Sequence, residues 1–423
     1  MRFLVSNAIN RHIRGFNSNF WKYWLGQSIS NLGNSFTLFA LPLLVFKLTG
    51  SPLDLAFATV ASNLPYPLFG LVLGAWVDRV RRRQLMISVD IARALIIALI
   101  PLLAVFGLLS VWWIYLVGFT VSTLSICFDA GEFAAIPSLV EQDYLVVANG
   151  RLQASYSAAA VLGPLLAGLL AALFPLPTIL LFDAFSFLIS AFSLALIEIS
   201  FNQQESEDKQ ETTKLYQEVF EGLRYILSHP VLRAISVMMA LINFVDITIG
   251  TQLVFFAKHQ LQASDAQVGL LYSVGGIGVI VLALAADPLR KRWSFSTVAL
   301  GALMADGLLT VIFAFTSWYW ISLILWASIS GLGILFNINT TSLRQTIVPN
   351  RLLGRVQSAS AVLAWSTIPL GTFFGGLVVE RIGSIAIVYG VIGLIIFLIA
   401  FSFSFTALGH AKRYLMSKGQ TES

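Results

Sequence analysis

Charge is scarce in this chain. Only 11% of its 423 residues are Asp, Glu, Lys or Arg, against roughly a quarter in a soluble globular protein. That is too little polar material to clothe a soluble surface. Cys127 is the sole cysteine, which excludes an intramolecular disulfide. His12, His229, His259 and His410 are the whole imidazole supply. None stands in a His-Glu-x-x-His pattern, so that helical metal site is excluded. No GxxxxGK[ST] loop occurs either, which removes the phosphate cradle of an ATP-driven machine. Residues 1–18 carry Arg2, Arg11 and Arg14, and no small-residue cleavage site follows a short apolar core; no signal peptide is expected.

What fills the chain instead is hydrocarbon. Apolar residues make up 57% of it, with a mean hydropathy of +0.82. Apolar segments long enough to cross a bilayer recur along the whole length. Twelve spans are expected, over 19–47, 53–77, 84–109, 111–138, 150–173, 177–200, 231–257, 265–286, 295–316, 318–343, 354–378 and 383–408. The polar stretch FNQQESEDKQETTK, residues 201–214, divides them six and six. The expected organisation is an N-terminal six-helix bundle over 1–200, a linker with an amphipathic helix over 201–230, and a C-terminal six-helix bundle over 231–423. The fold class is therefore an all-α membrane protein, two pseudo-symmetric bundles of six transmembrane helices each.

The pI near 9.3 invites a nucleic-acid reading, but the basic residues are placed for a membrane. Of 26 Lys and Arg, with the N-terminus inside, Lys47, Lys258 and Arg381 fall outside and Arg93 lies mid-span, leaving 22 at cytoplasmic segments. Such a bias sets orientation. Both termini and the linker are expected in the cytoplasm, the protein in a plasma membrane (a bacterial inner membrane), and nucleic acid is no partner.

After the linker, KLYQEVFEGLRYILSHP sets Leu215, Val219, Phe220, Leu223 and Leu227 on one helical face, and Pro230 closes it. Two readings stand level: a helix lying at the cytoplasmic interface, or one packed against the underside of the spans. The halves also repeat. VDRVRRR (77–83) aligns with ADPLRKR (286–292), and NGRLQAS (149–155) with LGRVQSA (353–359). Duplication of a six-helix unit is a transporter architecture, with substrate bound near mid-membrane at the repeat interface.

The densest charge lies in GLVLGAWVDRVRRRQ, residues 70–84, between spans two and three. Positive-inside bias explains its arginines but not Asp78, nor Gly74 a turn earlier, where a glycine lets another helix approach. Gly74-A-W-V-Asp78-Arg79-V-Arg81-Arg82-Arg83 resembles the loop signature of the major facilitator superfamily, with Arg81 where a second glycine usually stands. LVEQDYLVVANGRLQ, AVLGPLLAG (159–168 with its flanking alanine), FDAFSFLISA and RQTIVPNRLLGRVQS are similar to the superfamily's macrolide-efflux and enterobactin-exporter branch, so the likeness covers nearly the whole chain. The resemblance implies that Gly74, Asp78, Arg79, Arg82 and Arg83 form a conformational latch. It also implies that Gly163, Pro164 and Gly168 form an antiporter-like segment typical of exporters. The buried arginine that many drug–proton antiporters carry in span four is missing from VWWIYLVGFTVS.

Six carboxylates lie inside spans: Asp90, Asp129, Glu132, Asp183, Asp246 and Asp306. Asp90 and Arg93, three apart, share a helix face and read as a structural pair. The other five, left ionised and unpaired, would cost more than roughly 10 kcal/mol in all, at about 2.5–3.5 kcal/mol each. Some must face a wet cavity, find hydrogen bonds or carry a proton. The resemblance implies that spans one, four, seven and ten line the cavity, which makes Asp246, Asp129 and Glu132 the proton-coupling candidates, Asp246 first. Asp129 and Glu132 read equally well as hydrated acids at the cytoplasmic mouth. Asp183 and Asp306 fit helix-packing hydrogen bonds better. Gln27, Asn31 and Asn34 stripe span one, and Asn337, Thr341 and Arg344 end span ten; such stripes line cavities or glue helices. With Phe36, Tyr115, Phe119, Phe244 and Trp326, they would make an aromatic cavity for a bulky amphipathic molecule.

The leading expectation is a proton-driven exporter of amphipathic small molecules, such as macrolide-like drugs or siderophores. A lysophospholipid or other lipid transporter is the nearest rival, because ANGRLQAS is similar to that group too. A non-transporting membrane sensor is the rival of another class. No catalytic residues, metal or cofactor are expected; the partners are substrate, protons and membrane lipids, and a monomer is the default for a two-half fold.

Overall fold

The computed structural model describes residues 16–77, 79–199, 201 and 212–410. Every regular element among them is helical. In chain order these are α1 (Ser18–Thr49), α2 (Pro52–Asn63), α3 (Pro65–Val77), α4 (Arg82–Val105), α5 (Val111–Leu139), α6 (Leu145–Ala171) and α7 (Leu176–Ala195). After the linker come α8 (Thr212–Ser228), α9 (Pro230–Thr251), α10 (Leu253–His259), α11 (Asp265–Arg292), α12 (Phe295–Phe315), α13 (Tyr319–Ile347), α14 (Asn350–Trp365), α15 (Thr367–Ile382) and α16 (Ile385–Ser404). A single 3-10 turn, Gln142–Tyr144, sits between α5 and α6.

Eleven helical stretches are long and apolar enough to cross a membrane. The twelfth crossing is α2 and α3 taken together, 12 and 13 residues long. Pro65 and Pro67 lack the N–H groups that would answer the carbonyls of Ala61 and Asn63, so the helix breaks at Leu64. Pro369 does the same to the carbonyl of Trp365, and span eleven divides into α14 and α15 there. Span seven divides at Gln252, which is fully buried and donates through Nε2 to the carbonyl of Pro52 at 2.8 Å. The expected boundaries thus differ from the observed ones chiefly where a crossing is built from two helices.

The chain packs into two compact units. One comprises the described residues within 1–49, 60–208 and 265–273; the other those within 50–59, 209–264 and 274–423. Inside the first, α1 packs on α6 and α7, and α4 on α5 and α7. Inside the second, α9 packs on α15 and α16, and α12 on α13 and α16. These are equivalent helices of the two sequence repeats, so the duplication read from short motifs extends to the whole packing scheme. Small residues bring the helices together. A Cβ on Gly278 would lie 2.8 Å from the Cα of Ala327, so α11 and α13 touch backbone to backbone.

Outward faces are apolar, as lipid requires: Leu38, Leu95, Leu284 and Ile324 are all exposed. Trp112 opens α5 and Trp320 stands in the first turn of α13, equivalent helices of the repeat, both exposed. Indoles at helix ends anchor such spans at the membrane–water interface.

The helix after the linker, α8, packs on α14 within the second unit. Arg355 of α14 pairs with Glu221 of α8 at 2.5 Å, and a Cβ on Gly222 would lie 2.6 Å from the carbonyl carbon of Arg355.

Candidate functional site

The membrane-embedded charges of the first unit gather around α5. Glu132 accepts a hydrogen bond from the phenol of Tyr23 in α1 at 2.7 Å. Asp129, one turn away and exposed, accepts from the phenol of Tyr66 in α3 at 2.5 Å. Neither acid forms an ion pair among the described residues. Both candidates on this helix are therefore held by neutral donors, and a phenol can bond a carboxylate or a carboxylic acid alike. Neither tyrosine was singled out from sequence. Tyr23 stands four residues before Gln27 and extends the span-one stripe by a turn; Tyr66, between two prolines, carries no such signal.

Behind them lies a closed charge pair. Arg93 donates to Asp90 one turn back on α4, and both side chains are almost wholly buried. Arg93 also reaches Ser125 Oγ at 3.3 Å and lies between the rings of Phe128 and Phe187, 4.4 Å from each centroid. A guanidinium between two aromatic faces has its charge spread over α4, α5 and α7. Asp183, fully buried, accepts from Thr37 of α1 and Ser186. Gly33 of α1 makes room for it, since a Cβ there would lie 2.7 Å from Asp183 Oδ1.

In the second unit Asp246 sits on α9, half-buried, with no hydrogen-bond or ion-pair partner among the described residues. Asp306 of α12, 4% exposed, accepts from Thr310 at 3.3 Å and lies close enough to Asp246 to feel its charge. Arg344 ends α13 in a buried position, where it donates to Gln357 Oε1 at 3.3 Å.

The polar stripe of span one splits in use. Gln27 is buried and donates to Ser190 of α7 at 2.9 Å, which makes it interhelical glue; Asn31 and Asn34 are half-buried. Phe36 is buried, edge-on to Phe182 at 6.1 Å. Trp326 stacks on Phe313 at 5.8 Å, and Asn337 is exposed, accepting from Thr341. These residues are distributed over both units. Among the described residues no group of three or more His, Cys, Asp or Glu could hold a metal ion.

The arginine cluster has a definite local job. Arg83 donates through Nε to the carbonyl of Leu194 at 2.9 Å and through Nη2 to that of Ala195 at 2.5 Å, while Arg82 reaches the carbonyl of Phe201 at 3.3 Å. Arg83 caps the end of α7, whose last carbonyls have no partner within the helix, and Arg82 holds the chain beyond it. Arg79 is exposed, and Asp78 lies outside the described residues. A Cβ on Gly74 would meet nothing within 4 Å among the described residues. Close approaches do occur in the antiporter-like segment. Gly163 receives Ser35 of α1, and a Cβ on Gly168 would lie 3.0 Å from the Cα of Gly269.

The sequence model of the Major Facilitator Superfamily matches residues 23–370, from α1 into α15. This chain belongs to the Major Facilitator Superfamily. It is 25% identical over 377 residues to macrolide efflux protein A of Streptococcus pyogenes, covering 86% of this chain and 90% of that one. It is likewise 25% identical to the multidrug efflux pump Tap of Mycolicibacterium fortuitum, over 83% of this chain and 87% of that one. Among solved structures, a bacterial homologue of the iron transporter ferroportin superposes with a TM-score of 0.73 at 19% identity, over 92% of this chain and 98% of its own. The nucleoside transporter NupG does so with a TM-score of 0.72 at 14% identity, over 92% of this chain and 98% of its own. These likenesses give the fold. This superfamily member is a multi-pass membrane transporter of small molecules, not an enzyme, and the sensor alternative falls with that.

Proposed function

We propose that this transporter is a proton-coupled exporter of amphipathic small molecules, macrolide-like drugs or siderophores among them. In this reading it lies in the plasma membrane with both termini in the cytoplasm. Asp246 carries the argument. It is a carboxylate inside a membrane helix without a partner among the described residues, beside a second acid, Asp306. An acid without a partner inside a membrane helix is costly to keep ionised, and taking up and giving back a proton relieves that cost. Asp129 and Glu132, bonded to phenols, form the second candidate station. Export follows from the efflux relatives and from the Gly163-Pro164–Gly168 segment; coupling follows from the acids. The latch role of Asp78 and Arg79 belongs to the same reading.

The test is proton release from the purified, detergent-solubilised protein when candidate macrolides or siderophores are added, wild type beside Asp246→Asn and Asp129→Asn/Glu132→Gln. Release in the wild type that Asp246→Asn abolishes, with binding of the compound retained, is the expected outcome. Unchanged release in Asp246→Asn with loss in the double variant would move the proton to α5. If lysophospholipids bind and no compound releases protons, the lipid-transporter reading replaces this one.

A further inference from the structure

The helix α8 is apolar on two opposite faces, and among the described residues only one of them has protein against it. At 3.6 residues per turn, Gly222 and Ile226 share one side, while Phe220, Arg224 and Leu227 fall within about 60° of arc on the other. Gly222 and Ile226 are buried, with α14 pressed against Gly222. Phe220 is 68% and Leu227 51% exposed, and Arg224 is exposed between them. The acid next to this face, Glu221, is already engaged by Arg355.

Position decides what meets the exposed face. A single residue, His229, separates α8 from α9, a helix long and apolar enough to cross the bilayer. The end of α8 is therefore held at a membrane surface. Arg233, in the first turn of α9, is exposed, and neither its side chain nor that of Arg224 has a partner among the described residues. An exposed arginine between exposed Phe and Leu, with a second exposed arginine in the first turn of α9, matches an anionic headgroup layer above acyl chains: the rings and methyls enter, and the arginines stay at phosphate level.

We propose that the outer face of α8 lies in the linker-side leaflet and binds anionic phospholipid through Arg224 and Arg233, with Phe220 and Leu227 immersed. Because its other face is fastened to the start of α14 by Glu221–Arg355 and the Gly222 contact, α8 ties span eleven to the charge of the bilayer. The proposal is independent of what the protein exports.

The sole cysteine makes a labelling test direct. Nitroxide is placed at Phe220→Cys and Leu227→Cys in a Cys127→Ser background, with Ser228→Cys as a water-facing reference. The full chain is reconstituted in vesicles rich in phosphatidylglycerol or of phosphatidylcholine alone, and relaxation by oxygen and by a water-soluble nickel chelate is compared. Labels at 220 and 227 are expected to be oxygen-accessible and nickel-protected in the anionic vesicles. Arg224→Gln/Arg233→Gln should reduce that immersed population about fivefold for each arginine removed, and leave it unchanged in phosphatidylcholine. Nickel access at both sites in anionic vesicles overturns the proposal, as does protection from both reagents, which would mean protein cover. Equal immersion in both lipids, indifferent to the arginines, overturns its anionic part.

Discussion

In an Arg93→Met variant, the carboxylate of Asp90 stays where it is, 0% exposed, with its compensating cation gone. One of its oxygens already has no hydrogen-bond partner, and a neutral serine, Ser190, is the side chain left beside it. Removing one member of a buried ion pair costs about 3–5 kcal/mol, because the other is left as an uncompensated charge. The double variant Asp90→Leu/Arg93→Met removes both charges and leaves no such debt. It forfeits the two stacked contacts with Phe128 and Phe187, each about 0.5–2 kcal/mol, and the methionine sulfur returns about 0.3–1.5 kcal/mol against those rings. The double variant should therefore be more stable than Arg93→Met alone. At about 2–4 °C per kcal/mol for a unit of this size, the single variant melts roughly 6–20 °C below wild type, and the double variant recovers most of that. Thermal unfolding of the purified proteins in one detergent, at one scan rate, reads the order directly. A double variant that melts at or below the single one would refute the reasoning, and would make the polar network itself, rather than charge compensation, the stabilising feature.

Two glycines should respond with opposite signs. Gly168→Ala puts a Cβ 3.0 Å from the backbone of Gly269, which cannot rotate away, and should cost about 1–3 kcal/mol; Gly150→Ala meets nothing within 4 Å and should gain up to about 1 kcal/mol from helix propensity. The same thermal assay checks both, and equal shifts would remove the backbone contact as the cause. Arg83→Ala leaves the carbonyl of Ala195 without its Arg83 donor and that of Leu194 with only the N–H of Ile197, and should lower stability by about 1–3 kcal/mol. Arg83→Lys should recover only part of it, since an ammonium has no planar fork to span two carbonyls.

How far the sequence reached is clearest at the acids. Asp90 and Arg93 are three apart on one helix, and that spacing alone sets them on one face; their pairing is local and was legible. What surrounds the pair was not. Phe128 and Phe187 come from α5 and α7, and nothing in their own segments marks them as the rings that hold Arg93. Tyr23 and Tyr66 lie 109 and 63 residues from their acids, so their role exists only once the helices are packed. Glycines show the same limit: a glycine in a membrane helix permits close approach, but permission is all that a sequence records, and packing alone brings Gly269 against Gly168.

The sequence by itself determined the membrane class, the six-and-six division and the family, because hydrophobic length, charge placement and short motifs are properties of contiguous residues. It also restricted the chemistry to intramembrane carboxylates, since a chain with one cysteine and four histidines has little else to offer. Tertiary structure decided which acids are satisfied and which are not: Asp183 has Thr37 and Ser186, Asp129 and Glu132 have phenols, and Asp246 has no partner among the described residues. It decided as well that α8 meets the described residues on one side only. Partners so far apart in the chain are chosen by packing, and the energy of a buried charge depends on those partners rather than on its own place in the sequence.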